Sequence, residues 1–416
     1  MNIFTARGFF IGSIIIATTI ASFAFALFAK SPTATGDGGD RKIVIWKDGV
    51  PEARKRSLTE QHGRKIKDLA LVHGSVVEIS NPATLEALRN SPEVASITSD
   101  PIAYAAVREV KEVRDAGDVR ANARNSSTRT TAAPQVLPWG IDKIDAELVW
   151  PSGNTANPIK VGVIDTGISA THPDLVANIK GGVNTINPRR SWNDDNGHGS
   201  HVAGIIAAVN NTQGVIGGAP TADLYAIKVL NAQGSGYYSD IIEGLQWAIT
   251  NHLQVINMSL GGSADYQPLH DAIIAARNAG VVVVAAAGNS GGAVIYPAAY
   301  SEVIAVAATD STNTIAPWSS NGPEVDVAAP GVTIYSTYKG TGYATLSGTS
   351  MATPHVTAST ALLLNTPVAM HDANANGAWD PSEIQTQLQS TATDLGLGGF
   401  DNFYGWGLVN AYAALQ

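Results

Sequence analysis

The last two thirds of the chain alternate short apolar runs with amphipathic segments of helical length. The apolar runs, rich in valine, isoleucine and alanine, lie at residues 159–164, 224–229, 255–258 and 281–286. The periodicity predicts helices at residues 198–209, 238–252, 268–279 and 351–365. Apolar runs without polar alternation are typical of strands buried on both faces, as in a parallel sheet covered by helices. The pattern therefore predicts an α/β domain with a mostly parallel sheet over residues 134–416.

Four polar residues occupy positions where such a fold places functional groups, beyond strand carboxyl ends or at helix starts. Asp165 and Asn289 follow predicted strands, and His198 and Ser350 stand at the starts of predicted helices. A helix N-terminus stabilises negative charge near Ser350, although a serine there is also a common N-cap. Asp165, His198 and Ser350 together supply an orienting carboxylate, a general base and a nucleophile. The Asn289 amide can donate to an oxyanion.

Two other interpretations of these residues remain open at this point. The triplet Asp165-Thr166-Gly167 is typical of aspartic proteases, but that chemistry needs two such carboxylates and the chain has one such triplet, so it requires a homodimer. His198 and His201 lie one turn apart and, with Asp194 or Asp195, offer ligands for a metal ion.

Five motifs in this part of the chain resemble those of the subtilisin-like serine proteases, the subtilases, and follow the same order. They are residues 163–167 (VIDTG), 198–204 (HGSHVAG), 257–262 (NMSLGG), 287–289 (AGN) and 348–355 (GTSMATPH). The resemblance implies a three-layer subtilisin-like domain in which Ser350 is the nucleophile, His198 the general acid and base, and Asp165 its orienting partner. It also implies an oxyanion hole formed by the Asn289 amide and the Ser350 backbone N–H.

The resemblance further implies two extended segments that flank a peptide substrate. They are Gly234-Ser235-Gly236 and Ser259-Leu260-Gly261, between which a substrate pairs as an added strand. The loop after Asn289 is shorter than in many relatives, so that Ile295 or Val294 is expected to narrow the primary specificity pocket. We expect apolar residues before the scissile bond.

Calcium is the cofactor that the resemblance implies. The expected oxygen ligands are the side chains of Gln135, Asp174 and Asn211 and the carbonyls of Val209, Gln213 and Val215. A second calcium loop is predicted independently, from the pattern of residues 372–383 (DANANGAWDPSE). Its candidate ligands are Asp372, Asn374, Asn376, Ala378, Asp380 and Glu383; the alternative is a turn rich in Asp and Asn.

The N-terminal part of the chain predicts a separate small module at residues 41–106. Strands are expected at 42–46, 76–79, 94–97 and 102–105, and helices at 52–69 and 82–90, in a β-α-β-β-α-β, ferredoxin-like α+β plan. The module resembles the inhibitory prodomain of the subtilases. Polar residues 107–133 predict a flexible linker. Self-cleavage is expected near Ala106–Val107, with trimming to near Ala133.

The first 40 residues predict an export segment and a spacer. Arg7 precedes an uncharged apolar run, Phe9 to Ala29, with a small-x-small cleavage site at Ala24-Phe25-Ala26. The run is also long enough to span a bilayer, so residues 1–29 are either a cleaved signal or an anchor. Residues 30–40 form a spacer rich in Gly, Pro and Thr. We expect a secreted or extracytoplasmic protein that contacts a membrane only through an uncleaved 1–29 segment.

Charge and composition limit the partners. Residues 134–416 carry 8 Lys and Arg against 21 Asp and Glu, a net −13, which argues against nucleic acid as a partner. The chain has no cysteine, which excludes disulfides and a thiol nucleophile. We expect a monomeric, calcium-stabilised serine endopeptidase that acts on polypeptides and is made as a zymogen inhibited by its own prodomain. A catalytically silent surface protein of this fold, and a peptide ligase or esterase with the same three residues, remain as alternatives.

Overall fold

The computed structural model describes residues 40–114, 134–368 and 371–416. The predicted export segment, and most of the predicted linker, lie outside these ranges. Within them, no helix combines the length and the apolar character needed to cross a bilayer.

The N-terminal module, residues 40–99, is an antiparallel sheet with two helices. Its elements are β1 Asp40–Trp46, α1 Glu52–His62, β2 Arg64–Leu69, a 3₁₀ turn at Ala70–Val72, β3 Gly74–Ile79, α2 Pro82–Arg89 and β4 Val94–Ser99. The strand order is β2-β3-β1-β4. The Asn81 side chain caps α2 by accepting a hydrogen bond from the Ala83 N–H at 2.8 Å, which agrees with the predicted start of this helix.

Two predictions for this module were wrong. The helix predicted over 52–69 ends at His62, and Arg64–Leu69 forms edge strand β2, because Ile66 and Leu69 pack against the apolar core shared with the C-terminal domain. The strand predicted at 102–105 exists as β5 Ile102–Ala105, but it does not join the module's sheet. It pairs with strands of the C-terminal domain. The module therefore keeps the predicted β-α-β-β-α-β order. Its four strands are β1 to β4, and β5 is not one of them.

A strand also forms in the first part of the predicted linker. This strand, β6 Glu109–Arg114, pairs antiparallel with the strand Tyr343–Ser347 of the C-terminal domain. Its polar, mixed-charge sequence carries no strand signal, so that the linker prediction missed it.

The C-terminal domain, residues 134–416, is built on a seven-stranded sheet. The strands are β7 Lys160–Asp165, β8 Ile179–Asn184, β9 Asp223–Lys228, β11 Val255–Met258, β13 Val282–Ala286, β14 Ile304–Thr309 and β15 Val327–Pro330. Their order across the sheet is β15-β14-β13-β11-β7-β9-β8, and every neighbouring pair is parallel. Four short strands lie outside this sheet: β10 Ser235–Tyr237, β12 Leu260–Gly261, β16 Ile334–Thr337 and β17 Tyr343–Ser347.

Helices cover both faces of the sheet and produce three layers. They are α3 Trp139–Lys143, α4 His198–Ala207, α5 Tyr238–Thr250, α6 Gln267–Asn278, α7 Thr349–Leu364, α8 Pro381–Ser390 and α9 Ala411–Ala414. Successive residues of β13 point to opposite faces: Val282 and Val284 join the core that contains α4 and α7, and Val283 joins the core that contains α5 and α6. This double burial confirms the predicted α/β fold.

Helix α7 differs from its prediction at its first turns. It begins at Thr349 with Gly348 as N-cap, so Ser350 lies inside the first turn and is not the capping residue. Pro354 falls in the second turn of the helix. The helix nonetheless has its N-terminus at the carboxyl edge of the sheet, where the Thr349 N–H donates to Asn289 Oδ1 at 2.9 Å.

Candidate active site

Asp165 and His198 form a buried pair at the end of β7. His198 Nδ1 lies 2.8 and 2.9 Å from the two carboxylate oxygens of Asp165, and both side chains are almost fully buried. The other ring nitrogen, His198 Nε2, is buried without a hydrogen-bond partner. His198 therefore contacts the carboxylate through Nδ1, and its Nε2 is available to accept a proton.

Asp194 holds this pair in place. Its Oδ1 accepts hydrogen bonds from the Thr166 hydroxyl at 2.9 Å and from the N–H groups of Asn196 and Gly197. Its Oδ2 accepts from the Ser200 N–H and hydroxyl. Asp194 thus ties the turn after Asp165 to the first turn of α4, which carries His198. From the sequence alone, Asp194 was recognisable only as a candidate metal ligand, because no local pattern indicates these contacts.

The metal interpretation of His198 and His201 does not fit this geometry. His201 Nε2 lies 3.1 and 3.0 Å from the carbonyls of Ile334 and Ala344, away from the Asp165–His198 pair. Burial lowers the pKa of His201 to about 3, which keeps its ring neutral. Asp195 pairs with Lys228 at 2.7 Å. Among the described residues, no three His, Asp or Glu side chains are placed to hold a metal ion.

Ser350 Oγ donates to the Ser259 carbonyl at 2.9 Å. Ser350 Oγ makes no hydrogen bond to His198 in this conformation, since His198 Nε2 has no partner. A serine hydroxyl reaches three staggered positions by rotation about one bond, and hydrogen bonds at such sites often tighten only in the reacting complex.

Two donors converge on a carbonyl of the chain itself. The Ala106 carbonyl oxygen accepts from the Ser350 backbone N–H at 3.2 Å and from Asn289 Nδ2 at 2.5 Å. Asn289 Oδ1 in turn accepts from the N–H and hydroxyl of Thr349, at 2.9 and 3.0 Å, which orients the amide. A Cβ on Gly348 would lie 2.6 Å from the Ala106 oxygen, so only glycine admits the peptide here. No pattern in the sequence predicts this role of Thr349.

Residues 102–106 lie extended between the two predicted substrate-binding segments. Strand β5 pairs antiparallel with β10, Ser235 opposite Tyr104 and Gly236 opposite Ala103. On the other side β5 pairs with β12, Leu260 opposite Ala105 and Gly261 opposite Tyr104. The Ala105 N–H donates to the Gly234 carbonyl at 2.9 Å, and the Ala106 N–H to the Ser259 carbonyl at 3.0 Å. The six residues predicted to flank a substrate therefore all line this segment.

Ile295 lies close to Gly261, which pairs with Tyr104, and to Gly288, which precedes Asn289. A Cβ built on Gly261 would lie 2.7 Å from Ile295 Cδ1, and one on Gly288 would lie 3.1 Å from its Cγ2. The Ile295 side chain therefore fills the space between these two glycines. Val294 is buried in the core.

The residues predicted to bind calcium at the first site gather around the Gln135 amide. Gln135 Nε2 donates to the carbonyls of Val209 and Val215 at 2.8 and 2.9 Å, and lies 3.4 Å from Asn211 Oδ1. Asn211 Nδ2 donates to Asp174 Oδ1 at 2.9 Å. The oxygens of Val209, Val215 and Asn211 thus surround the NH₂ group of Gln135. A set of oxygen ligands of this kind suits a calcium ion. The Gln213 N–H donates to Asn211 Oδ1 at 2.8 Å.

The second predicted loop forms a compact turn before α8. Asp372 accepts from the N–H groups of Asn376 and Gly377 at 3.0 and 2.8 Å. Glu383 accepts from the N–H groups of Ala373 and Asp380, at 2.7 and 2.9 Å. The side chains of Asn374 and Asn376 donate to Asp380, and the Ala378 N–H donates to Asn376 Oδ1. The carboxylates of this loop are thus bonded to the loop's own donors.

Comparisons with known proteins agree with this geometry. The profile of the subtilase family matches residues 156–407. Subtilisin E of Bacillus subtilis (strain 168) is 38% identical over 416 residues, which cover 97% of this chain and 98% of that protein. Subtilisin Savinase of Lederbergia lenta is 49% identical over 283 residues, 68% of this chain and 100% of that protein. An alkaline protease of Shouchella clausii is 48% identical over 287 residues, 69% and 72% of the two chains.

The fold, the arrangement of the site and these similarities define a serine endopeptidase. The chain belongs to the subtilase family.

Proposed function

We propose that the protein is an exported serine endopeptidase made as a zymogen, and that it cleaves its own Ala106–Val107 bond. One observation carries the proposal: the Ala106 carbonyl accepts from both Asn289 Nδ2 and the Ser350 N–H, the two donors that stabilise an oxyanion in enzymes of this type. The peptide bond that follows is then the bond under attack. N-terminal sequencing of the purified protein tests the cleavage site.

In the mechanism that we propose, Ser350 Oγ leaves the Ser259 carbonyl and attacks the carbonyl carbon, while His198 Nε2 takes the hydroxyl proton. Asp165 holds the imidazole and stabilises its charged form. The carbonyl oxygen becomes an oxyanion between Asn289 and the Ser350 N–H. His198 then delivers the proton to the leaving nitrogen of Val107, and water hydrolyses the acyl-enzyme by the reverse sequence. Product analysis on a peptide mixture separates hydrolysis from peptide ligation.

Ion pairs between the N-terminal module and α5 support an inhibitory role for residues 41–106. Arg41 pairs with Asp240 of α5 at 3.4 Å, and its guanidinium lies 4.1 Å from the centre of the Tyr237 ring. Asp100 Oδ1 accepts from the Ser239 N–H in the first turn of α5. Lys67 pairs with Asp240 at 2.6 Å. We infer that these contacts hold the module on the acidic domain while β5 fills the groove, which blocks other substrates.

Ile295 is expected to restrict the residue before the scissile bond to small side chains. In the zymogen this residue is alanine, and we infer that Ile295, which lies against Gly261 and Gly288, limits the room for a larger side chain. We expect Ile295→Gly to raise kcat/KM for a substrate with phenylalanine at this position, relative to one with alanine, by at least about tenfold. Assays on two peptides that differ only at this residue measure the ratio. The neighbouring Val294→Ala, which alters the core, should leave the ratio unchanged; an unaltered ratio in Ile295→Gly contradicts the proposal.

Calcium is expected to stabilise the folded protein. The oxygens around Gln135 fit a hard cation, and an ion at about 100 times its dissociation constant adds about 2.7 kcal/mol to the free energy of unfolding. We expect a chelator to lower the melting temperature by several degrees. The chelator should lower the melting temperature less in Asp174→Asn if the first site binds calcium. It should lower it less in Glu383→Gln if the loop at 372–383 binds calcium. A melting temperature that the chelator does not change would exclude calcium at both sites.

Export is proposed from the sequence of residues 1–29. A basic residue followed by a long apolar run is typical of a signal segment. Sequencing and fractionation decide between a cleaved signal and an anchor, because an uncleaved segment keeps the protein with the membrane.

A further inference from the structure

Helix α5 presents two carboxylates to cations of the N-terminal module. Asp240 and Glu243 lie one turn apart, and therefore on the same face of this helix. Lys67 Nζ lies 2.6 Å from a carboxylate oxygen of Asp240 and 2.5 Å from one of Glu243. The Arg41 guanidinium lies 3.4 Å from Asp240. Within the part of the chain that the structure describes, both cations that contact Asp240 thus come from the module.

The Arg41 guanidinium occupies a site with three kinds of partner. Besides its contact with Asp240, its Nη2 donates to the Ser239 hydroxyl at 2.7 Å. The guanidinium also lies 4.1 Å from the centre of the Tyr237 ring, whose face attracts a cation. The Asp240 side chain is only 3% exposed in this form. A carboxylate, a hydroxyl and an aromatic face of the C-terminal domain thus surround one cationic group.

This cation site adjoins the fifth residue before the Ala106–Val107 bond. Ile102 stands at that position, and its backbone pairs with Tyr237 of β10. The same isoleucine lines a cavity of about 170 Å³ together with Tyr237, Asp240 and Arg41. The fifth residue of a bound strand and the Arg41 guanidinium therefore share one cavity.

Release of the module removes the cations from this site. Asp240 and Glu243 then face each other across one helical turn, and two like charges at this spacing repel. They also belong to a domain with a large excess of acidic residues, which attracts cations. A basic side chain that enters the cavity replaces the interactions that Asp240 loses with Arg41.

We propose that Tyr237, Asp240 and Glu243 form a substrate subsite that selects arginine or lysine at the fifth residue before the scissile bond. The inference rests on the proposed function, because it requires that the module is released after cleavage. In the zymogen Arg41 supplies the cation, so an uncharged isoleucine suffices at position 102. In the released enzyme the substrate supplies it through a side chain longer than isoleucine.

Two internally quenched peptides that differ only in charge test the proposal. Both have the sequence of residues 99–110 of this chain, with arginine in one and citrulline, its uncharged isostere, in the other in place of Ile102. The enzyme is the matured protein from which the module has been released. We expect kcat/KM to be at least about fivefold higher for the arginine peptide, because citrulline loses both the charged hydrogen bond and the attraction to the ring. The ratio should fall towards one in about 1 M salt, where the Debye length is about 3 Å.

Variants of the enzyme assign the effect to this site. Asp240→Asn should reduce the arginine-to-citrulline ratio to below about twofold, while Lys67 and Glu243 can still hold the module during maturation. Asp223→Asn is the matched control, since it removes one carboxylate at the start of β9, on the opposite edge of the sheet, and should keep the full ratio. If Asp240→Asn does not mature, Tyr237→Leu tests the same site. It removes the ring and keeps the backbone pairing of β10, and should lower the ratio at least about twofold.

A second pair of peptides tests the position of the basic residue. These carry arginine or citrulline in place of Tyr104, the third residue before the bond, and their kcat/KM values should differ by less than about twofold. A ratio near one at position 102, equal ratios at the two positions, or a full ratio in Asp240→Asn overturns the inference.

Failure of the inference and failure of the proposed function give different results. If the citrulline peptide is cleaved after Ala106 and the arginine peptide is cleaved no faster, the proposed function stands and the subsite is wrong. If neither peptide is cleaved, the proposed function is wrong and the inference falls with it.

Discussion

The Ser350→Ala protein is expected to retain an intact Ala106–Val107 bond and to lose almost all peptidase activity. The hydroxyl is the attacking group of the proposed mechanism, and removal of the nucleophile in a subtilisin lowers kcat on the order of 10⁶-fold. The variant should still fold with residues 102–106 in the groove, because β5 is held there by backbone hydrogen bonds to β10 and β12 that do not involve this hydroxyl. N-terminal sequencing and a peptide assay measure the two effects.

Ser359→Ala is the matched control for this experiment. Ser359 lies on the same helix, is equally buried, and donates its hydroxyl to the His355 carbonyl at 3.0 Å, so it reports the cost of removing a buried serine from α7. It should be cut at Ala106–Val107 like the natural protein. If isolated Ser350→Ala is cut there at the natural rate, another protease performs the maturation and self-cleavage is wrong.

The position of the functional residues was predictable because each depends on a local pattern. Asp165 and Asn289 end apolar runs, and apolar runs buried on both faces form parallel strands whose carboxyl ends share one edge. His198 and Ser350 begin helices, and helix starts lie at the same edge in this fold. The sequence therefore indicated which residues meet, although it gave no sign that Ser350 Oγ would donate to Ser259 instead of His198.

The parts that sequence reasoning missed depend on contacts distant in the chain. Residues 64–69 carry four charges in six positions and were predicted as helix, yet they form a strand, and Lys67 is paired with Asp240 of the C-terminal domain. Strand β6 has no apolar pattern and exists because β17 offers it an open edge. In both cases the strand forms because of its contacts with the C-terminal domain. The residues' own secondary-structure propensities do not indicate these contacts.

Replacement of Asn289 is expected to lower kcat with little change in KM. The amide contacts the carbonyl oxygen on which negative charge develops, so its hydrogen bond strengthens in the transition state more than in the bound substrate. Loss of the corresponding donor in a subtilisin lowers kcat by about 10²–10³-fold, and we expect that range for Asn289→Leu. Asn289→Asp keeps the oxygen that Thr349 contacts but replaces the NH₂ donor with a negatively charged oxygen. We therefore expect kcat to fall further than in Asn289→Leu.

Thr349→Val distinguishes stabilisation of the oxyanion from simple positioning of α7. It removes the hydroxyl that orients the Asn289 amide and keeps the backbone N–H bond, at 2.9 Å, to the same oxygen. We expect kcat of Thr349→Val to fall less than that of Asn289→Leu, because the Asn289 amide is still present but less firmly held. Steady-state kinetics on one peptide measures all three variants. If Asn289→Leu raises KM at constant kcat, or if Thr349→Val is as damaging as Asn289→Leu, the amide only holds the helix in place and the oxyanion role is wrong.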